Sequence, residues 1–98
     1  MAAKRIIIKL SGEAMSGDKS QAIDPNKVRE IAEEIKKAYD LGGLQIGVIV
    51  GGGNIWRGKT AQEMGMERSS ADYMGMIATI MNALALQNAL EELGLETR

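Results

Sequence analysis

The sequence IGVIVGGGNIWRGKT, residues 46–60, joins an apolar run to a glycine cluster and fits two phosphate-binding patterns at once. In the first interpretation, Gly51, Gly52 and Gly53 form a tight turn at the end of a buried strand. In the second, residues 53–60 are a G-x-x-x-x-G-K-T sequence, the Walker A spacing of P-loop proteins. Both predict a phosphate site, because glycines let backbone N–H groups approach an anion closely. They differ in fold, partner residues and reaction.

The preceding residues predict a strand, a helix and a second strand. Residues 5–10 contain the β-branched run Ile6–Ile8 without clean polar alternation, which is typical of a strand covered on both faces of a parallel sheet. Asp24-Pro25 then marks a helix start, and apolar residues recur at three- and four-residue steps until Gly42 or Gly43. With a strand at 45–50, this order predicts a right-handed βαβ unit in an α/β fold.

The following residues predict a short helix over 59–64 and a long helix from about Asp72 to Leu93, capped by Ser69 or Ser70 and ended by Gly94. The long helix is apolar on much of its circumference, so more than one side should be covered. Two strands do not complete a doubly wound sheet. We therefore expect the front part of a longer protein, in preference to a core completed by association.

Composition excludes several classes of function. The 98 residues contain neither His nor Cys, which excludes imidazole or thiolate catalysis, disulfides and the usual zinc sites. Twelve Lys and Arg balance thirteen Asp and Glu, without a basic stripe, so we expect no nucleic-acid partner. No apolar run approaches the roughly 20 residues that span a bilayer. We expect a cytoplasmic protein that does not bind membranes.

The Walker A interpretation is the weaker of the two. Its helix would meet Gly65 within two turns, its loop would have to hold Ile55 and Trp56, and no later apolar strand ends in an Asp for magnesium. The alternative is a site between two strand-end loops, residues 9–12 and 51–54, because ligands of open α/β sheets collect at the carboxyl ends of strands. Lys9 would neutralise charge during phosphoryl transfer, and Arg57 would clamp phosphate oxygens.

Four motifs, in this order along the chain, resemble the bacterial uridylate (UMP) kinases of the amino-acid-kinase superfamily. They are KLSGEA (Lys9–Ala14), GGGN (Gly51–Asn54), WRG (Trp56–Gly58) and the segment from Ala71 to Leu84, ADYMGM-I-AT-I-MNAL. The resemblance covers essentially the whole chain. It implies a three-layer αβα sandwich of the carbamate-kinase-like type, incomplete here, in which residues 1–98 form the N-terminal part of a single domain. It also implies transfer of the ATP γ-phosphoryl group to UMP, giving UDP, with Mg²⁺ accompanying ATP and no permanently bound cofactor or protein-bound metal.

Site residues follow from the same resemblance, position by position. Lys9 would be catalytic, and Gly52 and Asp72 would bind UMP; a carboxylate suits ribose hydroxyl donors. The predicted ATP contacts are Lys9, Leu10, Ser11, Gly12, Gly53 and Arg57. The family also implies a homo-hexamer and GTP as an effector, with a regulatory segment at Gly17, Asp18, Lys19, Ser20, Gln21 and Ala22.

The chain departs from the family pattern in three places. Residues 20–22 replace a glycine-aromatic-glycine stretch, and residues 41–44 hold one glycine more than usual, which the loop should absorb. Family members are more than twice this long, so we expect residues 1–98 alone to be inactive. Two alternatives stay open: a carboxylate or carbamate kinase of the same superfamily, and a non-catalytic nucleotide-binding or assembly module.

Overall fold

The computed structural model describes residues 5–17 and 21–98. Its elements, in chain order, are β1 (Arg5–Leu10), a 3₁₀ turn (Gly12–Met15), α1 (Pro25–Asp40), β2 (Gln45–Val50), α2 (Gly58–Glu63) and α3 (Arg68–Glu92). The predicted order of strands and helices is confirmed.

The two strands form a parallel pair whose register runs from Arg5 opposite Gln45 to Leu10 opposite Val50. Helix α1 makes the connection between them, as the sequence predicts. Because the strands are parallel and end opposite each other, the loops that follow them leave the sheet at the same edge. This edge carries the candidate site.

Helix α1 begins and ends where its sequence signals predict. The Asp24 carboxylate accepts a hydrogen bond of 2.9 Å from the Asn26 N–H, and Pro25 occupies the first turn, where no N–H is needed. After Asp40 the chain turns through Gly42 and Gly43, whose φ angles of +93° and +74° favour glycine. The additional glycine of this segment is accommodated in an open turn.

The core lies on one face of the sheet, between the strands and helices α1 and α3. It is built around Met15, Val28, Ala32, Ile35, Val50, Leu86, Ala89 and Leu90. Alternate strand residues such as Ile8 and Val48 pack against this core, whereas Ile7 and Ile49 on the other face are 70% and 53% exposed. Among the described residues both long helices pack on the same side, so cover on the second face of β1 stays a prediction for the whole domain.

Helix α3 begins about one turn earlier than predicted. Its N-cap is Glu67, without a side-chain capping bond, so Ser69 and Ser70 lie within the first turn and the predicted serine cap is wrong. Its end is correct, because Gly94 follows with φ +90°. Within the described chain Ile77, Ile80 and Leu84 are each more than half exposed, so the cover expected on a second side of α3 stays a prediction. No helix in the described part of the chain has both the length and the apolar character that a membrane span requires.

Candidate functional site

The loops after β1 and β2 are in direct contact. The Gly51 N–H donates to the Leu10 carbonyl at 3.2 Å, which continues the strand pairing into the loops. A Cβ on Gly12 would lie 2.6 Å from Asn54 Oδ1 and 2.7 Å from the Gly53 nitrogen. Such distances are shorter than any real contact, so the close approach of the loops requires glycine at position 12.

The glycine loop, Gly51–Asn54, forms a tight turn with backbone donors to spare. The N–H groups of Ile55 and Trp56 both donate to the Gly52 carbonyl at 3.0 Å. Among the described residues, the N–H groups of Gly52 and Gly53 have no protein acceptor. Free backbone amides of this kind are available as hydrogen-bond donors to an anion.

Arg57 closes the site through an ion pair with Glu13. One guanidinium nitrogen donates to the Glu13 carboxylate, and both side chains are about half exposed, at 58% and 51%. The pKa of Glu13 lies below its ordinary value, first because the carboxylate accepts from its own backbone N–H and second because of Arg57. A Cβ on Gly53 would lie 3.5 Å from the same carboxyl group. A carboxylate thus lies beside both the predicted phosphate-binding arginine and the glycine loop.

The remaining predicted residues of the first loop occupy three different environments. Lys9 is exposed near the end of β1, opposite Ile49 in the register. Leu10 packs against the core, so any contact with a ligand would come from its backbone. Ser11 caps the 3₁₀ turn without a side-chain capping bond, while its carbonyl accepts from the Ala14 N–H at 3.1 Å.

Asp72 lines an open cavity of about 420 Å³ beside the glycine loop. The other lining residues are Trp56, Gly58, Ala71, Gly75, Met76 and Thr79. Trp56 is anchored to α3 by a hydrogen bond of 3.1 Å from its indole Nε1–H to the Ala71 carbonyl. Gly52 adjoins the same helix, since a Cβ there would lie 2.9 Å from the Thr79 nitrogen. Gly52 thus meets α3 about two turns beyond Asp72, at Thr79, which also lines the cavity.

Asp72 is exposed and pairs with Arg68. The distance from Arg68 Nε to the Asp72 carboxylate is 3.8 Å, and the two side chains are 94% and 66% exposed. An exposed i,i+4 pair of this kind contributes little to stability. The carboxylate oxygens of Asp72 therefore remain accessible to the hydroxyl groups of a ligand in the cavity.

Three site residues were not assigned a role by the sequence, although each lies in a quoted motif. Glu13 binds Arg57, and Asn54 and Asn82 bind each other beneath the glycine loop. Asn82 gives the clearest signal, because it is a polar residue in the buried stripe of α3 between Ala78 and Leu86. An amide at such a position indicates a hydrogen-bonded partner in the core.

The predicted regulatory segment is only partly described. Asp18, Lys19 and Ser20 lie outside the described residues. Gly17 donates from its N–H to the Gln21 carbonyl at 3.4 Å, and the Ala22 carbonyl accepts from Asn54 Nδ2 at 2.7 Å. The segment is thus joined to the glycine loop at Ala22.

Lys59 and Thr60, which complete the Walker A pattern, lie in the exposed first turn of α2. The helix has only six residues. Within residues 5–17 and 21–98, no group of three or more Asp and Glu side chains is arranged to hold a metal ion.

Known proteins match the chain in sequence and in structure. The Amino acid kinase family profile matches residues 4–98. The uridylate kinase of Limosilactobacillus reuteri is 59% identical over 95 residues, which are 97% of this chain and 39% of that protein. The uridylate kinase of Pediococcus pentosaceus is 57% identical with the same coverage of both chains. The present chain thus spans about 39% of the length of these curated relatives.

Solved structures of UMP kinases also match the chain. The crystal structure of UMP kinase from Ureaplasma parvum has a TM-score of 0.88 and 46% identity, over 95% of this chain and 40% of that one. The UMP kinase from Bacillus anthracis has a TM-score of 0.84 and 39% identity, over 91% and 36% of the two chains. The two-strand unit therefore has the arrangement found in a larger α/β domain.

Proposed function

The chain belongs to the amino acid kinase family, and we propose that it supplies part of the active site of a uridylate kinase, which transfers the γ-phosphoryl group of ATP to UMP. The named relatives, uridylate kinases at 57–59% identity, support this substrate. Since the chain spans about 39% of their length, the proposed reaction belongs to a protein in which the remaining part of the domain is also present.

The observation that carries the proposal is the contact between the two strand-end loops. Gly12 touches the glycine loop, the amides of Gly52 and Gly53 are free among the described residues, and Arg57 lies beside them. Free amides and a guanidinium form a donor set for phosphate oxygens, in which Arg57 is paired with Glu13 until a phosphate shares or displaces that carboxylate. Phosphoryl transfer needs mainly such positioning and charge stabilisation.

We propose that ATP binds as its Mg²⁺ complex. Its phosphates are assigned to Lys9, Ser11, Gly12, Gly53, Arg57 and the backbone of Leu10. Lys9 is the proposed catalytic residue, because its ammonium group would balance the negative charge that moves from donor to acceptor. UMP is assigned to the Asp72 cavity, with Gly52 as the residue of the glycine loop that faces UMP. Asp72 would accept hydrogen bonds from ribose hydroxyls, whereas its charge would repel a phosphate.

Assembly, regulation and location complete the proposal. Exposed apolar side chains on α3, such as Ile77 and Leu84, support association into a homo-oligomer. The family resemblance implies that this oligomer is a hexamer. Residues 17–22 are the proposed GTP-responsive segment, since Ala22 is bonded to the glycine loop. We place the protein in the cytoplasm, where its nucleotide substrates would be available.

Titration distinguishes this proposal from its alternatives. UMP, MgATP and glutamate would each be titrated calorimetrically against the 98-residue chain and its Asp72→Ala variant. We expect binding of UMP that the variant loses, with MgATP affinity unchanged. Binding of glutamate in place of UMP would favour a carboxylate kinase instead. Equal UMP binding by both proteins would remove the assignment of Asp72.

A further inference from the structure

We infer that Asn82, in the middle of α3, is a positioning residue that holds the glycine loop in its phosphate-binding conformation. Asn82 is fully buried, and it is the only buried polar side chain among the described residues. The role of the loop in binding phosphate rests on the proposed function, whereas the control of its conformation does not.

All three hydrogen bonds of the Asn82 side-chain amide join it to the glycine loop. Its Nδ2 donates to the Gly51 carbonyl at 2.8 Å and to Asn54 Oδ1 at 2.7 Å. Its Oδ1 accepts from Asn54 Nδ2 at 3.1 Å. Both ends of the loop are therefore held by one residue of the helix.

The orientation of both amides follows from two backbone carbonyls. The Gly51 carbonyl can only accept, so the Asn82 NH₂ group must face it. The Ala22 carbonyl, 2.7 Å from Asn54, likewise requires the NH₂ group of Asn54. These two constraints turn the amide oxygens to the positions in which each asparagine accepts from the other. The pair therefore has one hydrogen-bonding arrangement.

Peptide geometry transmits this constraint to the binding face of the loop. The Gly51 carbonyl and the Gly52 N–H belong to one planar peptide unit, and the described residues contain no cis peptide bond. In a trans unit these two groups point in opposite directions. Because Asn82 fixes the carbonyl toward the buried side of α3, it also turns the Gly52 N–H away from that helix.

A packing role alone does not account for an amide at this position. The neighbours of Asn82 in the buried stripe, Ala78 and Leu86, are apolar. An apolar side chain at position 82 would avoid the cost of burying a polar group. The three glycines of the loop have many accessible backbone conformations. The hydrogen bonds of the Asn82 amide hold the loop in one of them.

The test uses the ¹⁵N-labelled 98-residue chain, with inorganic phosphate and MgATP as probes. Asn82→Ala removes the amide without adding bulk, and Asn88→Ala makes the same change at an exposed position of α3. We expect Asn82→Ala to keep its helical circular dichroism, to shift the amide signals of Gly51, Gly52 and Gly53, and to weaken phosphate binding about tenfold or more. Asn88→Ala should change neither the glycine signals nor phosphate binding.

A folded Asn82→Ala protein with unchanged glycine-loop signals would overturn the inference, even if its melting temperature fell. Should Asn82→Ala not fold, Asn54→Ala removes the same pair from the loop side, and the same three amide signals decide the question. If the unmodified chain binds neither probe while Asn82→Ala still shifts these signals, the positioning role stands, and the proposed function is decided separately in a protein that contains the whole domain.

Discussion

Arg57, after β2, and Glu13, in the turn after β1, form an ion pair across the two loops of the candidate site. This contact places a carboxylate beside Gly53, where the proposal requires an ATP phosphate. The free site therefore already contains one anion bound by the arginine that is expected to bind another. A phosphate that enters must share Arg57 with Glu13 or displace it.

The ion pair predicts a specific pH dependence of stability. Because the pKa of Glu13 lies below its ordinary value of 4.5, the ionised carboxylate stabilises the folded state above pH 4.5, and this contribution is lost as the pH falls through the lowered pKa. Glu13→Gln should therefore lower the melting temperature slightly near neutral pH, with the difference disappearing in acid. Thermal unfolding followed by circular dichroism from neutral to acidic pH measures this.

Glu63→Gln removes an exposed carboxylate from α2 and serves as the control. It should leave the melting temperature nearly unchanged throughout. A difference for Glu13→Gln that grows on acidification would contradict the prediction, as would the absence of any difference near neutral pH. High salt should reduce the neutral-pH difference, since both side chains are half exposed.

The contact between the loops predicts that position 12 accepts no side chain. Gly12→Ala would place its Cβ 2.7 Å from the Gly53 nitrogen, a backbone atom that cannot rotate away. We expect a loss of about 1–3 kcal/mol in the free energy of unfolding. Gly58→Ala is the control, because its Cβ would meet nothing within 4 Å, and a gain of about 0.4–1 kcal/mol is expected. Urea unfolding measures both, and equal stabilities for the two variants would refute the contact.

The position of Trp56 in the cavity predicts that UMP binding changes the tryptophan fluorescence. Trp56 is the only tryptophan in the sequence, and it lines the cavity with Asp72. UMP should change its fluorescence in a saturable manner, and Asp72→Ala should abolish that change. Arg68→Ala breaks the same exposed ion pair from the other side and should preserve the UMP signal. Equal loss of the signal in both variants would show that Asp72 acts through the ion pair.

The two interpretations of residues 53–60 predict opposite results for the same variants. If the strand-end loops bind phosphate, Lys59→Ala and Thr60→Ala should change MgATP affinity less than about twofold, as expected for solvated surface positions. Lys9→Ala should weaken binding about tenfold or more, since a charge-assisted contact is lost. A large loss for Lys59→Ala with none for Lys9→Ala would restore the Walker A interpretation.

Local signals were sufficient to predict most of the fold. The Asp24-Pro25 start of α1, the glycines after it and the bounds of β2 depend on nearby residues alone, and the structure has them as predicted. The start of α3 was predicted a turn too late because two serines resemble a cap. Whether the second face of β1 is covered depends on distant elements, which hydrophobic pattern does not locate.

Within the site, the sequence predicted which loops meet but not what holds them together. The strand-end position of Lys9–Gly12 and Gly51–Asn54 follows from parallel pairing. The ion pair of Glu13 with Arg57 joins residues 44 positions apart, and the Asn54–Asn82 pair spans 28 positions. Such pairings depend on side-chain geometry in the folded chain, so sequence spacing alone does not reveal them.

The most direct test of the central claim is the reaction itself, in a protein that contains the whole domain. Residues 4–98 would replace the corresponding segment of the Limosilactobacillus reuteri uridylate kinase, to which they are 59% identical, and UDP formation from UMP and MgATP would be measured. We predict turnover by this chimera that Lys9→Ala and Asp72→Ala each greatly reduce, with no phosphorylation of glutamate. A folded chimera that forms no more UDP than its Lys9→Ala variant would contradict the account.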